Sequence, residues 1–378
     1  MILAALAGNL QIIGNLSTAR DTQTLDRLLK STEVTLDVID AGTTMRFLTA
    51  YLSVSGQRKI LTGTPRMCER PIGILVNALR EIGASIEYVN QDGYPPLRFL
   101  GFKWNGNRHI KMRGDVSSQF ISAMLMIAPL LEEGLNITLT GKIGSRPYIE
   151  MTLDLMKHFG VQASWSGKEI KIPHQDYVPS FYQVGPDWSG ASYWYAVVAI
   201  AEEATLELSD LRKDSLQGDR LIAKVMKDLG VQSTFYPSGV KLIKKTQAAS
   251  VTFDFSDHPD LAQTVAVTCA AKGIKGTFLG LESLKIKETD RIAALQNELR
   301  KIGADLSESP EGVWKLIPSN RLPSQVEIET YDDHRMAMAF APLATRMEVM
   351  IQNADVVNKS YPSFWSDFQK TGFQIRWI

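Results

Sequence analysis

The feature that most constrains the fold is a sequence pattern that recurs along the chain. In each copy an amphipathic helix pattern ends near a basic residue, and a glycine and a short β-like run follow. Glycine just past a helix end is ordinary C-cap chemistry. Its return at intervals of roughly 70 residues indicates a duplicated structural unit. The glycines concerned are Gly83, Gly160, Gly230, Gly303 and Gly372.

These repeats predict both the fold class and the domain organisation. A shortened first copy over residues 24–38 brings the expected number of units to about six. The β-like runs at residues 137–140, 170–172, 205–208 and 326–328 predict strands, so the fold class is α/β or α+β with helices packed on sheets. Because 378 residues exceed the usual single domain, we expect two three-repeat domains, over residues 1–185 and 186–378.

The charge balance and the cysteine content exclude several classes of protein. Lys plus Arg and Asp plus Glu both number 41, whereas nucleic-acid-binding proteins carry a basic excess. No apolar run reaches the roughly 18 residues of a membrane span, and the apolar residues 1–8 lack the basic start of a signal peptide. Cys68, Cys269 and five scattered histidines indicate neither a disulfide framework nor a zinc site. A cytoplasmic protein without a metal is expected.

Several predicted helix starts in the first half carry groups that bind anions. Gly42 opens a helix pattern, where its backbone N–H can face an anion, although Thr43 or Thr44 as a simple N-cap is an equal alternative. Arg66 offers a planar two-pronged donor, which Glu69 could instead neutralise. Hydroxyl-bearing and amide side chains stand at two other helix starts, and capping by one serine is the alternative at the first of them, residues 117–119. These side chains are Ser117, Ser118, Gln119, Ser145 and Tyr148.

The second half repeats this chemistry with carboxylates added. Residues 285–291 read Lys-Ile-Lys-Glu-Thr-Asp-Arg, and on a helix Lys287 and Arg291 would share a face with Glu288 beside them. The alternative is a solvated helix start with internal ion pairs. Asp260 is either an N-cap or a catalytic base. Arg335 follows two aspartates that could hold it, and Lys359 stands alone in a loop, where a solvated surface position is the alternative.

Cationic helix starts in both halves of a chain with zero net charge predict a small-molecule site for a substrate, or a pair of substrates, with several negative groups. In order along the chain, these motifs resemble the 5-enolpyruvylshikimate-3-phosphate synthase family. The matching segments include Ala-Gly-Thr at residues 41–43, Pro-Arg-Met at 65–67, Val-Ser-Ser-Gln-Phe at 116–120, Lys-Glu-Thr-Asp-Arg at 287–291 and Asp-His-Arg-Met-Ala-Met at 333–338.

The resemblance implies an activity and a fold. Members of this family transfer the enolpyruvyl group of phosphoenolpyruvate to the 5-hydroxyl of 3-phosphoshikimate, in the shikimate pathway to chorismate and the aromatic amino acids. They have two domains, each a pseudo-threefold set of βαβαββ-like repeats with inner helices and outer sheets, and the active site lies in the cleft between the domains. They need no cofactor or metal, are commonly monomers, and include targets of glyphosate.

The resemblance also assigns roles to residues. Phosphoenolpyruvate would be bound by Gly42, Arg66, Gln119, Arg291, Arg335 and Lys359. The 3-phosphoshikimate would be bound by Ser117, Ser118, Gln119, Ser145, Tyr148, Asp260 and Lys287. Asp260 would take the proton of the 5-hydroxyl, and Glu288, with Lys287 beside it, would serve proton transfer at the methylene carbon.

Departures from the family pattern leave two alternatives open. The family's first strand and its Lys-Ser pair and arginine are expected before residue 2, so a truncated remnant that binds anions without catalysis is one alternative. The other is the sister enzyme that acts on UDP-N-acetylglucosamine. Its reactive cysteine stands five residues before an Arg-Pro pair, whereas Cys68 is only two residues before Arg70. The Lys-Glu-Thr-Asp-Arg motif favours the shikimate enzyme.

Overall fold

The computed structural model describes residues 1–319 and 321–378. The chain divides into two compact units, Met1–Val184 and Gly185–Ile378, which are described separately. The helices of the first unit are α1 (Ile2–Leu6), α2 (Arg20–Leu29), α3 (Gly42–Val54), α4 (Pro65–Cys68), α5 (Gly73–Glu81), α6 (Ser118–Ile127) and α7 (Arg146–His158). Its strands are β1 (Ile13–Gly14), β2 (Thr35–Asp37), β3 (Ile60–Thr62), β4 (Ala84–Tyr88), β5 (Leu97–Phe102), β6 (His109–Arg113), β7 (Leu135–Thr140), β8 (Ser164–Ser166), β9 (Glu169–Ile172) and β10 (Tyr182–Gln183).

The helices of the second unit are α8 (Trp188–Ile200), α9 (Ile222–Asp228), α10 (Ala262–Lys272), α11 (Arg291–Lys301), α12 (His334–Phe340) and α13 (Phe364–Lys370). Its strands are β11 (Thr205–Ser209), β12 (Val231–Tyr236), β13 (Gly239–Lys244), β14 (Ser250–Asp254), β15 (Lys275–Leu279), β16 (Asp305–Glu308), β17 (Trp314–Ile317), β18 (Gln325–Ile328) and β19 (Glu348–Ile351). Short 3-10 helices, including Gly218–Leu221, Pro259–Leu261, Glu282–Ile286 and Ala354–Lys359, lie between these elements.

The sheets repeat one connection pattern. Three four-stranded sheets have the orders β2-β3-β5-β4, β6-β7-β9-β8 and β14-β15-β17-β16. In each of them the first two strands are parallel and are joined through a helix, while the last two form an antiparallel hairpin. Right-handed crossover of a helix between parallel strands is the ordinary solution for such a connection. Single-face burial of β6, whose residues alternate between exposed and buried, indicates that helices cover one side of the sheet.

Two helices are apolar on every side and form the centres of their units. In α6 nearly every residue is buried, and it packs against α3, α5 and α7. In α8 every residue is buried, and it packs against α9, α10 and α12. A helix without a polar face is stable only when other elements surround it. Polar groups at the start of such a helix are therefore held in fixed positions by the core.

The recurring glycines have the conformation that the sequence predicts for helix C-caps. Each follows the C-cap residue of its helix with a positive φ, from 78° at Gly303 to 108° at Gly83. A side chain at Gly83 would also place Cβ 1.9 Å from the carbonyl oxygen of Lys103. The four predicted strand segments are confirmed as parts of β7, β9, β11 and β18.

One local prediction is wrong. Lys287 does not share a helical face with Arg291, because the 3-10 helix Glu282–Ile286 ends before it and α11 begins only at Arg291. The Asp290 side chain accepts hydrogen bonds from the N–H groups of Ile292 and Ala293, which fixes the N-cap at residue 290. Lys287 therefore has an extended backbone and lies in the short connection between the two helices.

Candidate active site

Arg291 is the centre of a cluster of charged side chains in the second unit. Its guanidinium is almost fully buried, with 2% of the side chain exposed. It donates to Asp333 at 2.5 Å, to Asp260 at 3.1 Å and to Glu288 at 2.8 Å. A buried cation is tolerated only when carboxylates compensate its lost hydration. The alternative of a solvated helix start is therefore excluded for Arg291.

Arg335 lies on the other side of Asp260. Its Nη2 donates to Asp260 Oδ2 at 2.9 Å, and its Nη1 approaches the hydroxyl of Tyr193 at 3.4 Å. Asp333 is the N-cap of α12 and accepts the backbone N–H of Arg335 at 2.9 Å. Asp260 thus bridges two guanidinium groups. Since its side chain does not cap α10, the alternative of a simple N-cap does not hold.

The charges in this cluster shift one another's protonation. Burial alone would raise the pKa of Asp260, but the positive charges of Arg335, Lys287 and Arg291 outweigh it and hold the pKa below its ordinary value. For Lys287, burial lowers the pKa of the ammonium even though Asp260 and Glu288 favour its charged form. Asp260 is therefore a carboxylate at neutral pH, and Lys287 loses its proton more readily than an exposed lysine does.

Two further groups of the second unit lie in the interior. Burial lowers the pKa of His334 to about 4, so its imidazole is neutral at neutral pH. Lys359 ends the 3-10 helix Ala354–Lys359 with 3% of its surface exposed. The interpretation of Lys359 as a solvated surface lysine is therefore wrong. Burial of this kind is costly for an ammonium group and points to a function or a buried partner.

In the first unit, Gly42 is in contact with two arginines. A side chain at Gly42 would place Cβ 2.7 Å from Arg46 Nη1 and 2.9 Å from Arg70 Nη1. Arg46 also donates to the Gly42 carbonyl at 2.9 Å, and both guanidinium groups are buried. The N-cap of α3 is Ala41, so the alternative of N-capping by a threonine is wrong. The start of α3 therefore combines free backbone N–H groups with two cations.

The start of α6 meets the start of α3. Gln119 Nε2 donates to Thr43 Oγ1 at 2.9 Å, which links the two helices. Ser117 is the N-cap of α6 and accepts the N–H of Gln119 at 3.4 Å, while Ser118 is buried. One serine is thus occupied as a cap, as the simpler alternative expects. Helix capping explains neither the presence of Ser118 nor that of the Gln119 side-chain amide.

The remaining predicted residues of the first unit are more exposed. Arg66 donates to Glu69 at 3.1 Å, and about half of its side chain is exposed. Ser145 precedes α7 with a left-handed backbone (φ 52°), and its side chain does not cap the helix. Tyr148 lies in the first turn of α7. The neutralisation of Arg66 that the sequence left open is therefore observed as an ion pair.

Sequence reasoning missed several residues at these helix starts. Arg46 follows Gly42 by one helical turn, a spacing that could have indicated its contact with the Gly42 carbonyl. The contact of Tyr193 with Arg335 has no signal in sequence spacing. Within residues 1–319 and 321–378, no three His, Cys, Asp or Glu side chains come together as metal ligands. None of the helices in those ranges has the length and apolarity of a membrane span.

Solved structures with the same fold include those of an EPSP synthase. The structure of EPSP synthase from Acinetobacter baumannii superposes with a TM-score of 0.71 and 22% sequence identity, covering 92% of this chain and 81% of that one. At this identity the likeness shows the fold alone, a mixed α/β architecture.

Sequence comparison goes further. The family model "EPSP synthase (3-phosphoshikimate 1-carboxyvinyltransferase)" matches residues 1–368. A 3-phosphoshikimate 1-carboxyvinyltransferase of Bacteroides fragilis (strain YCH46) is 47% identical over 383 residues, covering 100% of this chain and 92% of the relative. One of Neisseria meningitidis serogroup B is 39% identical over 335 residues, covering 87% and 77%. The chain belongs to the EPSP synthase family.

Proposed function

We propose that the protein transfers the enolpyruvyl group of phosphoenolpyruvate to the 5-hydroxyl of 3-phosphoshikimate and releases phosphate. Membership of the EPSP synthase family supports this reaction. The observation that carries it is the buried cluster in which Arg291 and Arg335 share the Asp260 carboxylate, with Glu288 on Arg291. Cations for an anionic substrate and two carboxylates for proton transfer are thereby held within one cluster.

Phosphoenolpyruvate supplies a phosphate and a carboxylate, which suit guanidinium and ammonium groups. Arg291 and Arg335 now share their charge with Asp260, and the substrate would compete with Asp260 for those donors. Asp260 would then become a stronger base, because the cations that lower its pKa would face the substrate. The groups proposed for phosphoenolpyruvate are the Gly42 backbone, Arg66, Gln119, Arg291, Arg335 and Lys359.

The 3-phosphoshikimate carries a phosphate and ring hydroxyls. Helix starts with free N–H groups and hydroxyl side chains bind phosphate through hydrogen bonds and the helix dipole. Gln119 is on the helix start that carries both serines, so one face of α6 can serve both substrates. The groups proposed for 3-phosphoshikimate are Ser117, Ser118, Gln119, Ser145, Tyr148, Asp260 and Lys287.

In the proposed reaction Asp260 takes the proton of the 5-hydroxyl of 3-phosphoshikimate. The hydroxyl oxygen then bonds to C2 of phosphoenolpyruvate. Glu288 delivers a proton to the methylene carbon, which becomes a methyl group in the tetrahedral intermediate. The Glu288 carboxylate then takes a proton back from the methyl group, which restores the double bond as the C2–O bond to phosphate breaks and phosphate leaves. Arg291, Arg335 and Lys287 stabilise the charge that moves onto the leaving phosphate.

We also propose the organisation that the family implies: two domains, over residues 1–185 and 186–378, each a pseudo-threefold set of βαβαββ-like repeats with inner helices and outer sheets. The shared strand order of three sheets supports it. A cytoplasmic monomer that acts only on small molecules completes the proposal.

The test is phosphate release from phosphoenolpyruvate and 3-phosphoshikimate by the 378-residue chain. We expect release only when both substrates are present, and loss of at least about 100-fold in Arg335→Lys, because lysine cannot reproduce the paired donors. Arg300→Lys, on the exposed end of α11, is the matched control and should leave the rate unchanged. Turnover with UDP-N-acetylglucosamine instead, or no turnover with either acceptor, would contradict the proposal.

A further inference from the structure

One buried carboxylate has no role in the proposed reaction and lies next to the segment that precedes Asp260. It belongs to Asp219, in the 3-10 helix Gly218–Leu221, and its side chain has no exposed surface. It accepts a hydrogen bond from Ser189 Oγ at 2.5 Å and lies 3.6 Å from Nδ1 of His258. Ser189 belongs to the first turn of α8, and His258 precedes Asp260 by two residues. The separation of 3.6 Å between the Asp219 carboxylate and His258 Nδ1 is slightly too long for a hydrogen bond, and among the described residues His258 Nδ1 has no hydrogen-bond partner. Asp219 therefore links the start of α8 to the segment that carries Asp260 only through a close polar contact with the imidazole.

The side chain of Gln217 holds the first turn of α8, where Ser189 lies, in place. Gln217 accepts the backbone N–H of Trp188 at 2.6 Å and donates to Asp187 at 2.7 Å. It also approaches Ser189 Oγ at 3.2 Å. Since α8 is buried on all sides, its first turn is a rigid support. The carboxylate of Asp219 is thus anchored to the core rather than to a loop.

Backbone hydrogen bonds and Pro259 hold His258 and Asp260 in a fixed relative position. The His258 N–H donates to the carbonyl of Phe255 at 3.0 Å, and the Leu261 N–H donates to the His258 carbonyl at 3.1 Å. Between them Pro259 restricts φ, so little rotation is available. The His258 side chain is only 12% exposed. A displacement of its imidazole would therefore move the turn that carries the Asp260 carboxylate.

We propose that Asp219 is a positioning residue for Asp260 and that it acts through the imidazole of His258. The inference rests on the proposed function, in which Asp260 takes the proton of the substrate hydroxyl. Arg291 and Arg335 hold Asp260 at 3.1 and 2.9 Å, but phosphoenolpyruvate would draw on the same guanidinium groups. Once it does, the turn behind Asp260 must keep the carboxylate within hydrogen-bond reach of the hydroxyl.

Paired substitutions test the connection. Asp219→Asn keeps the shape of the side chain but loses the charge and one acceptor, and His258→Asn removes the imidazole. Each should lower kcat by about 10- to 100-fold, as the loss of an outer supporting contact does elsewhere, with KM for both substrates nearly unchanged. Because both changes break one connection, the double variant should be no slower than the slower single variant. Rate losses that multiply in the double variant would overturn the proposal.

A control separates positioning from stability. Tyr195→Phe removes a buried hydrogen bond to Ser233, 3.0 Å long, from the same helix α8. It should lower the denaturant midpoint of unfolding slightly and leave kcat unchanged. A fall in kcat equal to that of Asp219→Asn would overturn the proposal. If Asp219→Asn does not fold, His258→Asn provides the same comparison.

Amide hydrogen exchange tests the same inference without turnover. The Leu261 amide should exchange faster in Asp219→Asn and in His258→Asn than in the unaltered chain or in Tyr195→Phe. Unchanged exchange would overturn the positioning role. If the unaltered chain releases no phosphate, the proposed function fails, but the exchange rates still decide whether Asp219 holds the turn.

Discussion

Arg291 binds three carboxylates at once, and this arrangement determines how each of them behaves. Two of its partners, Asp260 and Glu288, are the groups proposed to move protons, while the third, Asp333, is the N-cap that also holds the Arg335 backbone. Breaking a buried ion pair from one side leaves an uncompensated charge and is strongly destabilising. Substitution of Arg291 would leave three carboxylates without this partner, whereas substitution of one carboxylate leaves Arg291 with two. Substitutions of the carboxylates are therefore more informative.

Glu288→Gln is expected to slow the reaction without preventing binding. The amide keeps the size of the side chain and its contact with Arg291, but it cannot deliver a proton to carbon. Loss of a general acid–base group costs about 10²- to 10⁴-fold in rate, and we expect a fall in kcat within that range. Steady-state kinetics give kcat, and calorimetric titration with 3-phosphoshikimate should give an affinity within a few fold of the unaltered chain.

The exposed Glu282 lies in the same segment, so Glu282→Gln is the matched control and should leave kcat unchanged. A Glu288→Gln variant that turns over at the rate of the unaltered chain would remove Glu288 from proton transfer.

His334 is expected to make folding sensitive to acid. Burial lowers its pKa to about 4 in the folded protein, against an ordinary value of 6.5. Between these two pH values the imidazole is protonated in the unfolded chain but not in the folded protein. The free energy of unfolding therefore falls as the pH falls from 6.5 towards 4. From about pH 7 to pH 5 this amounts to about 2 kcal/mol.

Urea denaturation at both pH values measures this loss. His334→Gln should lose about 2 kcal/mol less than the unaltered chain over the same interval, whatever its stability at neutral pH. Equal losses in the two proteins would show that His334 does not resist protonation.

The helix termini show what an element's sequence determines and what it leaves to the rest of the fold. Glycine at the C-caps and the β-like runs after them are local features, and the structure confirms them at Gly83 and at Gly303. The boundary at residue 290 depends on the Asp290 cap, which overrode the helical spacing of Lys287 and Arg291. The burial of Lys359 depends on contacts that no local pattern contains.

Gly83→Ala is expected to destabilise the first unit more than a positive φ alone would. At Gly83, with φ 108°, the new Cβ would lie 1.9 Å from the Lys103 carbonyl oxygen. Gly273 is the control, since it also has a positive φ, of 70°, but no atom lies within 4 Å of the Cβ position. Gly273→Ala should cost about 1–2 kcal/mol, the price of a left-handed backbone.

We expect Gly83→Ala to exceed that cost clearly, because the Lys103 carbonyl, which directly follows β5, must move. Denaturant unfolding of the two variants makes the comparison. Equal losses of stability in the two variants would mean that the backbone around Lys103 can move away from the new Cβ without a loss of folding free energy.

Over the whole molecule the net charge is zero, and charged side chains nevertheless gather in a local cluster around Arg291. The sequence predicted cations at helix starts because net neutrality requires any cationic site to be local. It could not predict that Asp260 pairs with both Arg291 and Arg335, since those two pairs join residues far apart in the chain. The proposed substrates would therefore have to displace this carboxylate from the two arginines.

Substrate binding is expected to stabilise the folded protein. A ligand at 100 times its Kd adds about 2.7 kcal/mol to the free energy of unfolding. Thermal unfolding with 3-phosphoshikimate, and then with both substrates, should give successively higher Tm values. In Arg335→Lys the increment from phosphoenolpyruvate should shrink while that from 3-phosphoshikimate remains. A Tm that neither substrate raises would contradict the proposed binding sites.

If Arg291 binds the substrate as proposed, the carboxylates around it would also restrict which anions can bind there. An arginine that already has internal counter-ions gains little from a small or monovalent anion such as chloride, because such an anion cannot replace a hydrogen-bonded carboxylate at 2.8 Å. Only a ligand with two anionic groups at the right separation recovers what is lost when Asp260 and Glu288 are displaced. The cluster can thus discriminate by the spacing of charges within the ligand rather than by its total charge.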